Sequence, residues 1–298
     1  MVARQQQPIS QQHMYRRRRA VAAIVAVAFL ALAVAALGSH GGGNHAAAKA
    51  PASARAAVRR TPAEEQALTR QAEERAIDHV LSYTPVIRAG GAHGNEVALT
   101  FDDGPGPYTQ QLVAELNRLG VQATFFAVGK EEQYFSSGTQ LELRSGDVVG
   151  DHTETHPMMA SLSPHDQYEQ LFEQIARVEL LGGPRPRLFR PPYGSFDATT
   201  FRLLHKLRLL MVLWSTDTGD YKLPGVQAIV QGALEGAHPG AIILMHDAGG
   251  DRSETIAALP AIVAGLRKRG LRPVTIPRLM LDDPPPPDQP LPRSLAGD

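Results

Sequence analysis

Between about Asn95 and Leu281 short apolar runs alternate with amphipathic stretches. Runs at Val97–Phe101, Ala123–Val128, Asp147–Gly150, Arg187–Arg190, Leu209–Trp214, Ala241–Met245 and Pro273–Ile276 have the length and residue types of β-strands. The clearest helix between them is Pro164–Leu181: Ser163 stands as N-cap, Pro164 takes the first helical position, and Tyr168, Leu171, Phe172, Ile175, Val178 and Leu181 recur at helical spacing. Alternating strand and helix predicts an α/β fold with a parallel sheet covered by helices. Seven such strands come close to a full (β/α) barrel, in which active-site residues gather where the strands end.

The flanks of this body read differently. Ala20 to Leu37 is an unbroken apolar run of 18 residues behind Arg16, Arg17, Arg18 and Arg19. As a helix it is about 27 Å long, enough to cross a bilayer core, and the basic cluster keeps the N-terminus cytoplasmic. Residues 1–38 are therefore expected to be an uncleaved transmembrane anchor or a long cleaved signal peptide, and the length of the run favours the anchor. Either way the body is exported: extracytoplasmic and membrane-held in the first case, secreted in the second. Residues 39–62 carry Gly, Ala, Pro and Lys/Arg with almost no large apolar side chain and read as a tether. Residues 63–94 begin with a helix, Pro62 to Tyr83, with Glu64 and Glu65 in its first turn and a sparse stripe of Leu68, Ile77, Val80 and Leu81 expected to dock on the body at 95–281. Residues 282–298, with four consecutive prolines, read as a solvated tail.

Composition removes several function classes. The 298 residues contain no Cys, which excludes thiol catalysis, Cys-ligated zinc, iron–sulfur clusters and disulfides. Formal net charge is zero, but five Arg fall in the first 38 residues, leaving 25 basic against 30 acidic residues beyond them. A mildly acidic body lacks the basic face that phosphate neutralisation needs, so no nucleic-acid partner is expected.

Polar clusters follow the apolar runs. The first runs into Asp102-Asp103-Gly104-Pro105, which is ordinary turn chemistry or, since adjacent carboxylates repel, a place for a cation or shared proton. After the third come His152 and His156, expected on a helical turn facing one way; two surface histidines is the plain alternative. Two imidazoles and one carboxylate leave open positions, the pattern of a catalytic zinc site, and free the other Asp to act as base. Arg190 follows the fourth run and can hold a carboxylate in place; His246 follows the sixth, where a general acid is useful. Each is equally readable as a satisfied structural residue. Trp214, the only tryptophan, reads as core.

In order, Thr100-Phe101-Asp102-Asp103-Gly104-Pro105, His152 to His156, Arg190 to Gly194, Asp217-Thr218-Gly219-Asp220-Tyr221 and Leu244-Met245-His246 resemble the five motifs of the NodB-like polysaccharide deacetylases, carbohydrate esterase family four, across about Asn95 to Ile276. The resemblance implies a distorted (β/α) barrel of seven or eight strands. It implies Asp102 as the base toward the attacking water, Asp103, His152 and His156 as metal ligands, Arg190 positioning Asp102, His246 protonating the leaving amine and Asp220 tuning His246. It also implies the backbone N–H of Tyr193 at the oxyanion, and Leu244 with Tyr221 around the acetyl methyl. Two positions depart from the family pattern: Tyr221 stands where Trp is usual, and Asp151 where Asn is commoner, which is expected to add negative charge behind the first histidine.

The reading that follows is a metal-dependent enzyme removing N-acetyl groups from an N-acetylglucosamine-containing polysaccharide. Peptidoglycan comes first, because a short tether behind an anchor keeps the body near the wall; chitin-type oligomers come next. The donor set suits one divalent ion, zinc first, then cobalt, nickel or manganese. An O-acetyl esterase of xylan type and a non-catalytic carbohydrate-binding module on the same barrel are the alternatives. A metal-dependent phosphoesterase predicts a basic phosphate clamp, for which only Arg190 is visible.

Overall fold

The computed structural model describes residues 61–289. The predicted anchor or signal segment at 20–37, and all of the predicted tether except Thr61 and Pro62, lie outside them. Among the described residues no helix is long and apolar enough to cross a membrane.

One parallel sheet organises the chain. Its strands are β1 (Val86–Ile87), β2 (Glu96–Asp102), β3 (Thr124–Ala127), β4 (Val148–Asp151), β5 (Leu188–Phe189), β6 (Leu210–Val212), β7 (Thr216–Asp217), β8 (Ile242–His246) and β9 (Arg272–Val274). They lie side by side in the order β1-β6-β5-β4-β3-β2-β8-β7, with β9 added on β2. This is a distorted (β/α) barrel left open between β1 and β7. Among the described residues the expectation of about seven strands becomes nine: β1 and β7 are two residues each, too short for any periodicity to announce them. The predicted strand at Pro273–Ile276 also shortens, because Thr275 caps a helix that begins at Ile276.

Side-chain parity decides what faces where. Along β2, Val97, Leu99 and Phe101 pack outward in one core with Leu112, Leu116, Ile262 and Leu266 of the covering helices Thr109–Leu119 and Ser253–Lys268. Ala98 faces inward with Phe126, Leu188, Leu210, Val212 and Ile242. The inward parity on β2 therefore continues through Thr100 to Asp102, and on β8 from Ile242 through Leu244 to His246. The two strands pair in register, Thr100 with Leu244 and Asp102 with His246. Candidate site residues thus share the interior face at one end of the barrel.

The other end is apolar. The Pro62–Leu81 helix starts with a capping box between Thr61 and Glu64 and buries Ile77 and Val80 against Ile276, Leu279 and Met280 of the Ile276–Asp282 helix. Only its C-terminal half docks; Leu68, counted in the predicted stripe, is exposed. The Pro164–Leu180 helix forms as predicted, with the Ser163 hydroxyl accepting from the Asp166 amide. The described part of the expected solvated tail leaves Pro284, Pro286, Pro287 and Asp288 exposed but is tied to the body at three points. Asp283 accepts from the amides of His93 and Gly94, Tyr83 donates to the Pro285 carbonyl, and Gln289 bonds the backbone of Arg88 and Ala89. Proline ruled out a helix there, but an extended strap needs only matching donors and acceptors.

Candidate active site

The mouth is built where the strands end. Asp102 is the last residue of β2, 4% exposed, and its Oδ1 accepts from Arg190 Nη1 at 2.7 Å. Arg190 is fully buried. Its remaining donors reach Thr100 Oγ1 and the carbonyls of Val212 and Leu213, and its guanidinium lies 4.2 Å from the centre of the Phe126 ring. Burial lowers the Arg190 pKa and the Asp102 charge opposes that shift, so the pair is mutually dependent.

Asp103, His152 and His156 converge beside Asp102. Their ligand atoms lie within 4.8 Å of one another. Asp103 Oδ1 is 3.1 Å from His156 Nε2 and 3.5 Å from His152 Nε2. Burial raises the Asp103 pKa, but hydrogen bonding with His152 and His156 and the charges of His152 and His246 outweigh it and hold the carboxyl well below the usual carboxylate range. His152 Nδ1 lies 2.6 Å from the Arg190 carbonyl, an acceptor only, so this nitrogen carries a proton and leaves Nε2 as the atom that faces Asp103 and would ligate a cation. One carboxylate and two imidazoles converging in this way fit a divalent cation.

The convergence is not achieved by the predicted helical turn. No helix covers 152–156; Thr153 and His156 adopt left-handed backbone, φ 71° and 60°. Asp151 Oδ1 accepts from the Thr153 amide and Thr153 Oγ1 from the His156 amide, so two successive side-chain turns fold the histidines together. At Asp151 burial raises the pKa well above the ordinary value and the hydrogen bond from the Thr153 amide opposes that rise, so its surroundings work against the negative charge expected behind His152.

Opposite, His246 Nδ1 is 2.8 Å from Asp220 Oδ1, and Asp220 Oδ2 accepts from the His246 amide. Burial disfavours the charged ring, yet the hydrogen bond and charge of Asp220, with the charges of Asp102 and Asp103, push His246 up to about 9. Tyr221 packs edge-on to the His246 ring with centroids 5.3 Å apart, and Tyr193 does the same to His156 at 4.7 Å. Tyr193 is half-exposed and left-handed, φ 58°. Leu244 is buried on β8, one inward position below His246. Trp214 packs between two apolar clusters, as expected of core.

All ten residues singled out from the sequence lie at this end of the barrel. Sequence reasoning missed their supports: Thr100 on Arg190, and Thr255, whose hydroxyl donates to Asp220 Oδ2 at 2.8 Å. Thr100 had a signal in its inward parity with Asp102. Thr255 had none, since it lies in a helix 35 residues from its partner.

Comparison with known proteins identifies the family. Residues 89–212 match the family model described as polysaccharide deacetylase. A peptidoglycan-N-acetylglucosamine deacetylase of Bacillus cereus is 37% identical over 62% of this chain and 87% of its own length. A chitooligosaccharide deacetylase of Azorhizobium caulinodans is 32% identical over 59% of this chain and 90% of its own. Among solved structures, the Bc1960 peptidoglycan N-acetylglucosamine deacetylase superposes with a TM-score of 0.64 at 31% identity, covering 67% of this chain and 94% of that one. The family model ends before Asp220 and His246, yet the barrel returns both to the ligand cluster. The chain belongs to the polysaccharide deacetylase family, carbohydrate esterase family four, and is an enzyme of that class.

Proposed function

We propose that this enzyme hydrolyses N-acetyl groups of an N-acetylglucosamine-containing polysaccharide, peptidoglycan before chitin-type oligomers, with a divalent cation held by Asp103, His152 and His156. The observation that carries the reading is the register pairing of Asp102 with His246, which sets a candidate base and a candidate acid on neighbouring strands beside the ligand cluster. A pure binding module has no use for that pair.

The roles follow from the surroundings. Asp102, held in place by the hydrogen bond from Arg190, takes the proton of the attacking water as the new C–O bond forms. His246, kept protonated by Asp220, gives its proton to the nitrogen as the C–N bond breaks, so acetate and a free amine leave. The Tyr193 amide faces the developing oxyanion, and Leu244 with Tyr221 encloses the acetyl methyl. The bound cation, zinc first by its donor set and then cobalt, nickel or manganese, supplies polarisation of the acetyl carbonyl and a lowered pKa for water.

The preference for peptidoglycan rests on the name of the Bacillus cereus relative and on the apolar run at 20–37, which would hold the enzyme at the outer face of the membrane, or send it out as a secreted protein if cleaved. Acetate release from peptidoglycan and from an N-acetylglucosamine oligomer, after chelation and again after adding zinc, tests the whole reading. Zinc-restored release with peptidoglycan the faster substrate is expected. Release from neither by a zinc-loaded protein overturns it.

A further inference from the structure

Two loops meet behind the carboxylate pair, and their contact is closer than packing alone requires. Asp247, the residue after His246, is completely buried. Its amide donates to the Asp102 carbonyl at 3.2 Å. Its Oδ2 accepts from the Thr109 hydroxyl, and the same Thr109 oxygen accepts from the Gly106 amide at 2.7 Å. A hydrogen-bond chain thus runs from the Gly106 N–H through Thr109 to Asp247, spanning the loop that carries Asp102 and Asp103.

The two loops are also fitted to one another residue by residue. A Cβ added at Gly104 would stand 2.1 Å from Asp247 Oδ2, one at Gly106 would stand 2.6 Å from the Ala248 Cβ, and one at Gly249 would stand 2.7 Å from Asp103 Oδ2. From behind, the buried Arg252 donates its Nε to the Ala248 carbonyl at 2.7 Å. On the other side, Asp103 sits in left-handed backbone, φ 74°, a conformation a residue with a Cβ holds only when its surroundings impose it.

We propose that Asp247, acting through Thr109, is a positioning residue that holds the Asp102–Asp103 loop in this conformation and so sets both the cation affinity of Asp103, His152 and His156 and the aim of Asp102. The inference rests on the roles assigned above to Asp102 and Asp103. Asp247 touches neither substrate nor cation. Its contribution is a buried acceptor without which the Thr109 hydroxyl proton has no acceptor and the loop loses its backing. An amide supplies the same acceptor, so the charge of Asp247 is not required.

The test compares Asp247→Asn, Asp247→Ala, Thr109→Ser and Thr109→Val. Zinc affinity is measured by titrating the metal-free protein calorimetrically, and kcat and KM are measured on an N-acetylglucosamine oligomer. Asp247→Ala and Thr109→Val are expected to weaken zinc binding and lower kcat by more than fivefold each, with KM little changed. Asp247→Asn and Thr109→Ser are expected to stay within fivefold of the unaltered protein. Losses below fivefold in Asp247→Ala or Thr109→Val overturn the proposal, as does a loss in Asp247→Asn matching that in Asp247→Ala. If Asp247→Ala does not fold, the Thr109→Val and Thr109→Ser pair decides. Zinc titration needs no substrate, so an unaltered protein inactive on both polysaccharides overturns the deacetylase reading while the affinity series still judges the brace.

Discussion

The two ends of the barrel are built on opposite principles. At the floor, Ile77 and Val80 of one regular helix meet Ile276, Leu279 and Met280 of another over the interior residues Ala98, Leu188 and Ile242. At the mouth, Asp102, Arg190 and Asp220 are buried ionisable groups with the partly buried His246 beside them, and Asp103, Thr153, His156 and Tyr193 all adopt left-handed backbone. Each of those backbones costs on the order of 1–2 kcal/mol, and each buried charge costs more unless paired. The floor supplies burial that the mouth does not. Stability and chemistry are thereby assigned to separate ends of one sheet.

Substitutions that break this division should separate activity from stability. The largest expected effect is at the mouth: Asp102→Asn lowers kcat about a thousandfold, the middle of the range for losing a general base, while zinc remains bound by calorimetry. Near-normal turnover in that variant would remove Asp102 as base. Next, His156→Ala should weaken zinc binding by more than the roughly 10- to 100-fold typical of losing an outer-shell partner, because a ligand itself is gone. At the floor, Ile77→Ala is expected to lower unfolding free energy by about 2–4 kcal/mol in a denaturant titration and leave kcat within about twofold. A large fall in kcat there would show that the two ends are coupled.

The smallest effect is a shift along the pH axis. The Asp220 hydrogen bond and charge raise the His246 pKa to about 9 in the metal-free protein, above its ordinary value of 6.5. A raised histidine contributes stability that is fully present below about pH 6.5 and is lost as pH rises through about 9. Asp220→Asn should remove that contribution, so metal-free unfolding becomes less sensitive to pH across this window. The same change should move the basic limb of kcat/KM toward lower pH, since the acid then loses its proton earlier. An unmoved limb would mean that another group sets it.

Much of the mouth was legible because strand parity and register are local rules. Once the runs containing Leu99 and Ile243 are strands, Asp102 and His246 must end on one face. The His152–His156 spacing was read correctly as a pair and wrongly as a helical turn. Side-chain turns from Asp151 and Thr153 outcompete the helix, and four-residue spacing does not distinguish the two. The two-residue strands β1 and β7, the Thr255 partner of Asp220 and the strap to Gln289 left no periodic trace, because each depends on a residue distant in sequence.

The sequence by itself determined the alternation of strand and helix, the order of the polar clusters at the strand ends and the residue types that fit a cation, a base and an acid. These follow from propensity, periodicity and donor chemistry, which act over a few neighbouring residues. Only the tertiary structure decided which carboxyl groups have their pKa values pushed up by burial, how Asp103 is held in left-handed backbone, and that side-chain turns rather than a helix bring His152 and His156 together. Burial and pairing set those outcomes, and both are created when segments far apart in the chain close around the same interior.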